Sequence, residues 1–368
     1  MKILEYKFSD ERWDFQNICF QDISLIVGDS GSGKTRLLNT ISNFGDYVAQ
    51  SKLRGVASWN LILDVDGEEY RWDVSTTKED NTVIVERERL FLNDKLLLER
   101  EIDEFVFNDL PPLPKLPKNV LSVSILREEE LIKPLFKGFT RIRRRNFWED
   151  TLVKNSTIYA IGRQSLENIG NKQNLSELFI QELGLNPKLY ILSKFFTEIY
   201  DEIVLKFRDT FDFISEISIL ESGDFDLGSI PGRAPIFCIK ERNVDKWIRL
   251  DEFSSGMQKV LLILTDILTL PKGSIYLVDE YENSLGISAI NFLPELLFST
   301  NINAQILLTS HHPYIIRKFP VKYWYVVHRE GSRVNYAFGD GLVERYGISS
   351  QEKYLQLLND PIYTEGIE

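Results

Sequence analysis

The spacing of apolar residues predicts short buried strands near both ends of the chain. Ile23–Val27 is a short, mostly apolar run that leads into a glycine-rich segment. Ser274–Val278 and Ala304–Thr309 are runs of the same kind in the last third of the sequence. Short continuous apolar runs are typical of strands that are covered on both faces of a sheet. The two ends of the chain are therefore expected to build one α/β sheet together.

Between residues 57 and 101 the pattern changes to alternation of apolar and polar positions. Asp66-Gly67 and Asn93-Asp94 interrupt this segment and are typical two-residue turns of antiparallel hairpins. From Leu131 to Phe213 the apolar spacing is mainly helical. The other predicted strands are Lys2–Phe8, Arg12–Cys19, Val120–Leu126, Ser156–Ile161, Ile217–Leu220, Ala234–Ile239, Trp324–His328 and Val334–Phe338, and the other predicted helices are Thr35–Ile41, Leu175–Leu183, Met257–Leu268 and Ile287–Leu297.

These patterns predict a head that is interrupted by an insertion. Residues 1–130 form its first half and contain the antiparallel β lobe. Residues 131–245 form a mainly helical insertion, and residues 246–368 return to α/β and complete the head.

The glycine-rich segment after the first buried run has the spacing of a phosphate-binding loop. It reads Gly28-Asp29-Ser30-Gly31-Ser32-Gly33-Lys34-Thr35, which is Gly-x-x-x-x-Gly-Lys-Thr. Backbone N–H groups of such a loop and the N-terminus of the following helix bind phosphate. Lys34 is expected to reach the β- and γ-phosphates, and the Thr35 hydroxyl to bind Mg²⁺. The alternative is a Gly/Ser-rich turn, which the flanking strand and helix make less favourable.

A second motif follows Ser274–Val278, where the apolar run ends on two acids. Asp279 is expected to hold Mg²⁺, directly or through water. Glu280 is expected to act as the general base that polarises the attacking water. The alternative is a strand that simply ends on acidic residues. Together with the phosphate-binding loop, the pair predicts the hydrolysis of a nucleoside triphosphate.

Composition limits the class of protein further. The chain has 368 residues and a net charge of −12, so any contact with nucleic acid has to be a local patch. Cys19 and Cys238 lie in apolar runs and are expected to be small buried residues of a protein in a reducing cytosol. No signal peptide and no apolar run of about 20 residues is present, which predicts a cytoplasmic protein without a membrane span of its own.

Six basic residues crowd one short stretch that is predicted to be helical. Such a local excess of positive charge is a candidate surface for DNA, RNA or an acidic protein. A solvated helix face that pairs with the protein's own acids is the favoured interpretation. The six residues are Lys133, Lys137, Arg141, Arg143, Arg144 and Arg145.

The segment Phe253-Ser254-Ser255-Gly256-Met257 precedes a predicted helix and resembles the signature motif of ABC-type ATPases. It departs from Leu-Ser-Gly-Gly-Gln at three positions, and Ser-Ser-Gly is common in the SMC-like and RecF-like branch. The resemblance implies that Ser254, Ser255 and Gly256 contact the γ-phosphate held by another protomer. A hydroxyl at a helix N-terminus suits an anionic ligand. The alternative is an ordinary serine N-cap.

Three further segments resemble motifs of the same ATPases. Tyr281–Leu285 lies where the D-loop is found. In Thr309-Ser310-His311-His312 the resemblance implies a histidine that senses the γ-phosphate, His311 in preference to His312. Gln164 resembles the Q-loop glutamine that completes the Mg²⁺ shell, with an exposed loop glutamine as the alternative. Trp13 and Arg12 are the candidates for stacking on adenine, although a core tryptophan is the favoured interpretation of Trp13.

In this order along one chain, the motifs resemble the AAA/ABC-type ATPases of the RecF, SMC and OLD branch. The resemblance implies an α/β P-loop ABC-type head with a mixed central sheet, an antiparallel β lobe and an inserted, mainly helical lobe. Within the branch, the stand-alone ATPase subunits of bacterial anti-phage systems are the most similar, the PARIS ATPase first and the Septu ATPase second. About 57 residues follow His311, too few for the TOPRIM nuclease domain of OLD proteins.

The resemblance also implies cofactors and partners. ATP and Mg²⁺ are expected at a slow, switch-like ATPase site, and a head-to-tail homodimer or a larger assembly of such dimers is expected to complete it. A separate effector of TOPRIM or HNH nuclease type, and a phage trigger protein or nucleic acid at the basic stretch, are the expected partners. The alternative is a RecF-like DNA-binding repair ATPase. A transporter subunit ranks third, because the β lobe argues against it.

Overall fold

The chain forms two compact units. The computed structural model describes residues 1–102, 104–108, 116–145, 163–171, 174–180, 183–225, 234–283, 285–286, 289–300 and 302–339. The first unit contains Met1–Arg145, Lys272–Tyr281 and the chain from Asn303 onward, and the second contains Asn146–Pro271 and Glu282–Ile302. The division predicted from the sequence cuts the chain at other points and stays a prediction.

The described chain contains 16 strands and 10 α-helices, and a run of consecutive antiparallel strands, β4 to β8, lies in its first third. The strands are β1 (Lys2–Asp10), β2 (Asp14–Cys19), β3 (Ile23–Val27), β4 (Ala57–Val65), β5 (Glu68–Glu79), β6 (Thr82–Leu92), β7 (Lys95–Glu101), β8 (Phe105–Phe107), β9 (Ile142–Arg145), β10 (Ile214–Glu221), β11 (Pro235–Glu241), β12 (Ile248–Arg249), β13 (Ile275–Val278), β14 (Gln305–Ser310), β15 (Trp324–Glu330) and β16 (Arg333–Phe338). The helices are α1 (Lys34–Gln50), α2 (Ser122–Ile125), α3 (Lys133–Phe139), α4 (Arg163–Gly170), α5 (Leu175–Ile180), α6 (Leu185–Phe195), α7 (Thr197–Thr210), α8 (Ser255–Thr269), α9 (Phe292–Ser299) and α10 (Pro313–Lys318).

A 13-stranded sheet organises the first unit, in the order β8-β7-β6-β5-β4-β1-β2-β16-β15-β3-β14-β13-β9. The strands β15, β3, β14, β13 and β9 run parallel to one another. Their side chains are largely buried, as expected for parallel strands that are covered on both faces. The carboxyl ends of parallel strands meet at one edge, which is where α/β proteins bind their ligands. The segments after β3, β13 and β14 therefore converge.

The other half of this sheet is the predicted antiparallel lobe. β4 to β8 form a meander in which each strand pairs with the next. The two predicted turns are confirmed: Asp66-Gly67 and Asn93-Asp94 join consecutive strands, and all four residues have positive φ. A turn with positive φ at both central residues matches the twist of a hairpin.

Aromatic packing fixes α1 to the core of the first unit. The ring of Phe44 lies 5.2 Å from Trp59, 5.0 Å from Trp72 and 5.6 Å from Phe139, measured between centroids. Phe44 and Trp72 are fully buried. Burial of one such side chain stabilises the fold by about 1.5–3 kcal/mol. The helix that follows the phosphate-binding loop is thereby held in place.

The second unit is mainly helical. It contains α4 to α9 and a three-stranded antiparallel sheet in the order β10-β11-β12. The stacked ring of Phe253 lies 6.2 Å from Phe207 and, at a steep angle, 6.3 Å from Phe237. The predicted fold class, a mixed α/β head with an antiparallel lobe and a mainly helical insertion, is confirmed.

Several local predictions are wrong. The apolar segment Val120–Leu126 was expected to be a strand, yet its centre forms α2. There the Ser122 N–H donates to the buried carboxylate of Glu88 at 2.8 Å, and the Ser124 hydroxyl donates to the Val48 carbonyl, so no strand partner is needed. In place of a helix over Ile287–Leu297, α9 begins at Phe292. The predicted strand Ser156–Ile161 lies outside the described residues.

The two cysteines differ in environment. Cys238 is fully buried, as predicted, and burial raises the pKa of its thiol to about 12. The prediction for Cys19 is wrong, since this residue is exposed. Successive side chains of a strand point to opposite faces, so that the buried Ile18 points into the core and Cys19 points outward. Among the described helices, none combines the length and apolar character needed to cross a bilayer.

Candidate functional site

The glycine-rich loop connects β3 to α1 and needs glycine at two points. Gly33 has φ of 104°, and a Cβ there would lie 2.9 Å from the ring of Trp13. A Cβ on Gly28 would lie 2.5 Å from the Val327 carbonyl oxygen. A side chain at either position would strain the loop or push its neighbours away. Gly33 is also the N-cap of α1 and supplies no side-chain cap, so the helix begins with N–H groups directed at the loop.

Lys34 is positioned inside this loop. Its Nζ donates to the Gly28 carbonyl at 2.7 Å and to the Asp29 carbonyl at 2.8 Å, and the residue is buried. The Lys34 side chain therefore crosses the loop from the start of α1 to the residues that follow β3. A lysine ammonium group in a glycine-rich loop at a helix N-terminus is an arrangement that binds phosphate.

Asp279 and Thr35 lie against each other. Asp279 follows β13, is buried, and accepts a hydrogen bond at Oδ1 from the Thr35 hydroxyl at 3.0 Å. These two residues are separated by more than 240 positions, and the sheet order brings them together. A carboxylate and a hydroxyl are hard oxygen donors, and Mg²⁺ prefers such ligands together with phosphate oxygens. The predicted metal-binding pair thus fits Mg²⁺.

Thr309 connects the two acids and was not predicted as a site residue. It lies fully buried on β14, its hydroxyl donates to Asp279 Oδ1 at 2.7 Å, and the same hydroxyl accepts from the Glu280 N–H at 2.8 Å. Its carbonyl accepts from the Tyr281 N–H at 3.3 Å. The sequence signal was a polar residue at the end of an otherwise apolar strand.

The backbone of Glu280 is strained. Its φ is 44°, in the left-handed region that residues other than glycine rarely adopt. Such conformations cost about 1–3 kcal/mol and persist where the surrounding structure enforces them, often at functional sites. Here the hydrogen bonds to Thr309 on both sides enforce it. The chain therefore changes direction at the half-buried Glu280, directly after β13 and Asp279.

The two histidines after β14 have different surroundings. His312 is the N-cap of α10, and its Nδ1 accepts from the Tyr314 N–H at 3.2 Å. Its own N–H donates to the Ser310 hydroxyl at 3.1 Å. His311 is exposed at the edge of the sheet where the other predicted residues converge. Because His312 caps α10, His311 is the better candidate for the histidine that senses the γ-phosphate. This role stays a prediction.

The basic stretch is not the single helix that was predicted. It contains α3 and then β9, which lies beside β13 in the central sheet. Arg145 is buried, and Arg144 forms an ion pair with Asp279, with 3.2 Å between Nη2 and Oδ2. Two of the three consecutive arginines are therefore unavailable for a solvent-exposed nucleic-acid surface. Sequence reasoning also missed Arg144 as a neighbour of the site.

Trp13 is half-buried beside the loop and already has stacked neighbours. Its ring packs on Phe15 at 5.6 Å with 18° between the planes, and the Arg329 guanidinium lies 3.8 Å from the ring centroid. Arg329 also donates to the Gly31 carbonyl at 3.4 Å. Arg12 is exposed. A role for Trp13 or Arg12 in stacking on adenine stays a prediction.

The signature segment belongs to the second unit. Ser254 is the N-cap of α8, and its hydroxyl accepts from the Met257 N–H at 3.3 Å, as the alternative interpretation expected. Ser255 is exposed in the first turn of the same helix, and Gly256 is buried. An exposed hydroxyl at a helix N-terminus remains compatible with an anionic ligand. The phosphate contact of this segment stays a prediction.

Two other predicted positions are only partly described. Gln164 lies in α4, and its side chain is outside the described residues. In the D-loop segment Tyr281 is buried, and the Asn283 carbonyl accepts from Lys259 Nζ at 2.6 Å. Ser284 of that segment also lies outside the described residues.

The fold and this strand-end site define an AAA-type ATPase domain. The family described as "AAA domain, putative AbiEii toxin, Type IV TA system" matches residues 23–317, and the chain belongs to this family. A search of curated proteins gave no match.

Solved structures of SMC heads share the fold. One is a Smc head bound to the C-terminal winged-helix domain of ScpA, with a TM-score of 0.57 and 12% identity over 93% of this chain and 99% of that one. Another is a Smc head with an extended coiled coil, bound to the C-terminal domain of ScpA and derived from Pyrococcus furiosus. Its TM-score is 0.53 with 12% identity, over 93% of this chain and 98% of that one. At this level of identity the likeness concerns the fold alone.

Proposed function

We propose that this protein binds ATP with Mg²⁺, hydrolyses it slowly, and uses the nucleotide cycle to control a separate toxic effector in anti-phage defence. The observation that carries the ATPase part is the hydrogen-bonded group of Thr35, Asp279, Thr309 and Glu280 beside the phosphate-binding loop. Family membership supports the same activity.

The roles of the residues follow from their chemistry. The N–H groups of residues 28–35 and Lys34 Nζ bind the phosphates, which releases Lys34 from the loop carbonyls. Thr35 and Asp279 would hold Mg²⁺, with Gln164 as a further ligand, and a metal bound there would supply positive charge next to the phosphates. The Glu280 carboxylate accepts the proton of the attacking water. His311 donates a hydrogen bond to the γ-phosphate.

A second copy of the chain completes the site. Ser254, Ser255 and Gly256 of a partner protomer lie over the γ-phosphate, and the N-terminus of α8 adds its positive end. The exposed Ser255 on the first turn of a 15-residue helix supports this arrangement. The minimum assembly is a head-to-tail homodimer, with larger assemblies of such dimers built on it.

The family description names a putative toxin and a type IV toxin–antitoxin system, which supports a role in a toxic system, and the separate effector is taken from the resemblance of the motifs. The effector is a separate nuclease of TOPRIM or HNH type, as in the PARIS and Septu systems that the motifs resemble. A phage protein is the trigger. The RecF-like repair ATPase gains no specific support, because Arg144 and Arg145 do not form the exposed basic surface that it requires.

The experiment is a pull-down of tagged Glu280→Gln protein, with ATP and Mg²⁺, from cells that carry its genomic neighbours. Removal of the general base traps the ATP-bound form, so the effector nuclease is expected to co-purify. Lys34→Ala is the matched control and is expected to lose the nuclease together with bound nucleotide. Recovery of DNA without a protein partner would overturn effector control and favour the repair ATPase. Failure of the wild-type protein to bind fluorescent ATP would overturn the ATPase itself.

A further inference from the structure

Arg144 is the cation that contacts Asp279, the carboxylate of the proposed metal site. β9 runs parallel to β13, and Leu277 lies opposite Arg144 in the register of the two strands. Side chains two positions apart share a face of a sheet, so Arg144 and Asp279 project on the same side. The register places Arg144 on the sheet face of Leu277, and the ion pair shows that its guanidinium reaches the carboxylate that follows β13.

The two oxygens of Asp279 are divided between two kinds of partner. Oδ1 accepts from the hydroxyls of Thr35 and Thr309, which are neutral groups. Oδ2 faces Arg144 Nη2 at 3.2 Å. The side chain of Asp279 is 7% exposed and that of Arg144 is 17% exposed, so little water screens the pair. The negative charge at the proposed metal position is thus balanced by a cation from the protein itself.

The ion pair leaves Arg144 incompletely satisfied. Its Nε is buried and has no hydrogen-bond partner among the described residues. Arginine has five N–H donors in a fixed plane, and a well-satisfied buried arginine uses most of them. A buried donor without a partner costs free energy, so Arg144 is not fully satisfied in this position.

We infer that Arg144 is an internal counter-ion that holds Asp279 while no metal–nucleotide complex is bound, and that it leaves Asp279 when Mg²⁺ arrives with nucleotide. This inference rests on the proposed nucleotide site. Arg144 is a positioning residue in this account: it contacts Oδ2 of the buried carboxylate, which leaves Oδ1 oriented toward Thr35. Its presence also raises the metal concentration that the site requires, since the ion pair has to open first.

The test uses Mn²⁺ as the probe, with ADP at one fixed saturating concentration, and counts free Mn²⁺ by electron paramagnetic resonance. Arg144→Gln is expected to tighten Mn²⁺ binding about tenfold, the change expected if only about one site in ten is free of the ion pair in the wild-type protein. Arg144→Lys keeps a cation on the same strand face and is expected to stay within about twofold of the wild type by the same reasoning.

Arg143→Gln is the matched control, because Arg143 neighbours Arg144 in the strand but projects from the other face. It is expected to leave Mn²⁺ binding unchanged. Should Arg144→Gln fail to fold, Arg144→Met keeps the unbranched stem without the charge and takes its place. Unchanged or weaker Mn²⁺ binding in the charge-removing variant, Arg144→Gln or Arg144→Met, or equal tightening in Arg143→Gln, would overturn the inference while the wild type still binds nucleotide. A wild-type protein that binds no nucleotide would overturn the proposed function as well.

Discussion

A single hydroxyl joins the two acids that follow β13. The Thr309 hydroxyl donates a hydrogen bond to the carboxylate of Asp279 and accepts one from the N–H of Glu280, so the orientations of both residues depend on it. The strained φ of Glu280 shows that this geometry is enforced and does not reflect the preference of the residue. These hydrogen bonds would determine whether Glu280, the proposed general base, faces the attacking water.

Replacement of Thr309 by valine should impair hydrolysis more than nucleotide binding. Thr309→Val keeps the shape but leaves the Glu280 N–H without its acceptor, and an unsatisfied buried group costs about 1–3 kcal/mol. We expect a loss of that size in the free energy of unfolding, measured in urea, and a fall in kcat of about tenfold or more. Thr309→Ser retains the hydroxyl and is the control; equal effects of both variants would contradict this role.

The two cysteines should react very differently with a thiol reagent. Cys19 is exposed, whereas Cys238 is fully buried and its thiol pKa is raised to about 12. Since the thiolate is the reactive form, one equivalent of a maleimide should label the native protein, and the second only after denaturation. Cys19→Ser should abolish native labelling. Labelling of Cys238 in the folded protein, detected by peptide mass spectrometry, would contradict the described packing of β11.

At the scale of elements, the local motifs were predictable and the contacts between strands were not. Gly28–Thr35 and Asp279-Glu280 are visible because a loop and a strand end are each written in consecutive residues. Thr309 and Arg144 acquire their roles only from the register of β14 and β9 against β13, which depends on residues far away in the sequence. The apolar pattern of Val120–Leu126 does not reveal that Glu88 satisfies the helix N-terminus there.

Glu88 links β6 to α2 and should make stability depend on pH. It is fully buried, and burial raises the pKa of its carboxyl, although hydrogen bonds from Ser122 and Trp72 oppose the rise. A raised pKa means that the folded protein holds this proton above the pH at which the unfolded chain releases it. The stabilisation that comes from this retained proton is complete below pH 4.5, the ordinary pKa of the carboxyl group. It is lost as pH rises through the higher pKa of the folded protein.

Glu88→Gln removes this titration. The difference in unfolding free energy between Glu88→Gln and the wild type should therefore change in favour of the variant as pH rises above 4.5. Urea denaturation at a series of pH values measures it. Glu86→Gln, at an exposed position of the same strand, is the control and should show no such trend. A trend of opposite sign would mean that the hydrogen bonds outweigh burial.

At the scale of the whole molecule, the proposed dimer divides each site between two chains. Lys34→Ala removes the phosphate-binding side, and Ser255→Arg blocks the signature side, so each variant alone should be inactive. In an equal mixture half of the dimers contain both variants, and each of these has one intact site. We expect about a quarter of the wild-type ATPase rate if the sites act independently.

The mixing experiment also has an outcome that would contradict a site shared between two chains. If each chain carried a complete site, the mixture would stay as inactive as its components. Lys34→Ala mixed with Glu280→Gln is the control, since both changes lie on the same side of the proposed site and neither mixed site is complete. Recovery in that control would contradict the head-to-tail arrangement.

The order β15-β3-β14 has a consequence for biosynthesis. β3 precedes the phosphate-binding loop and is made early, yet both of its neighbours in the sheet come from residues 305–330. During translation β3 therefore lacks both of its neighbouring strands until most of the polypeptide has emerged from the ribosome. A nascent chain halted before that point has the loop sequence without the sheet that shapes it. Nucleotide binding would then require synthesis of the chain through β15, and products that terminate earlier would not bind nucleotide.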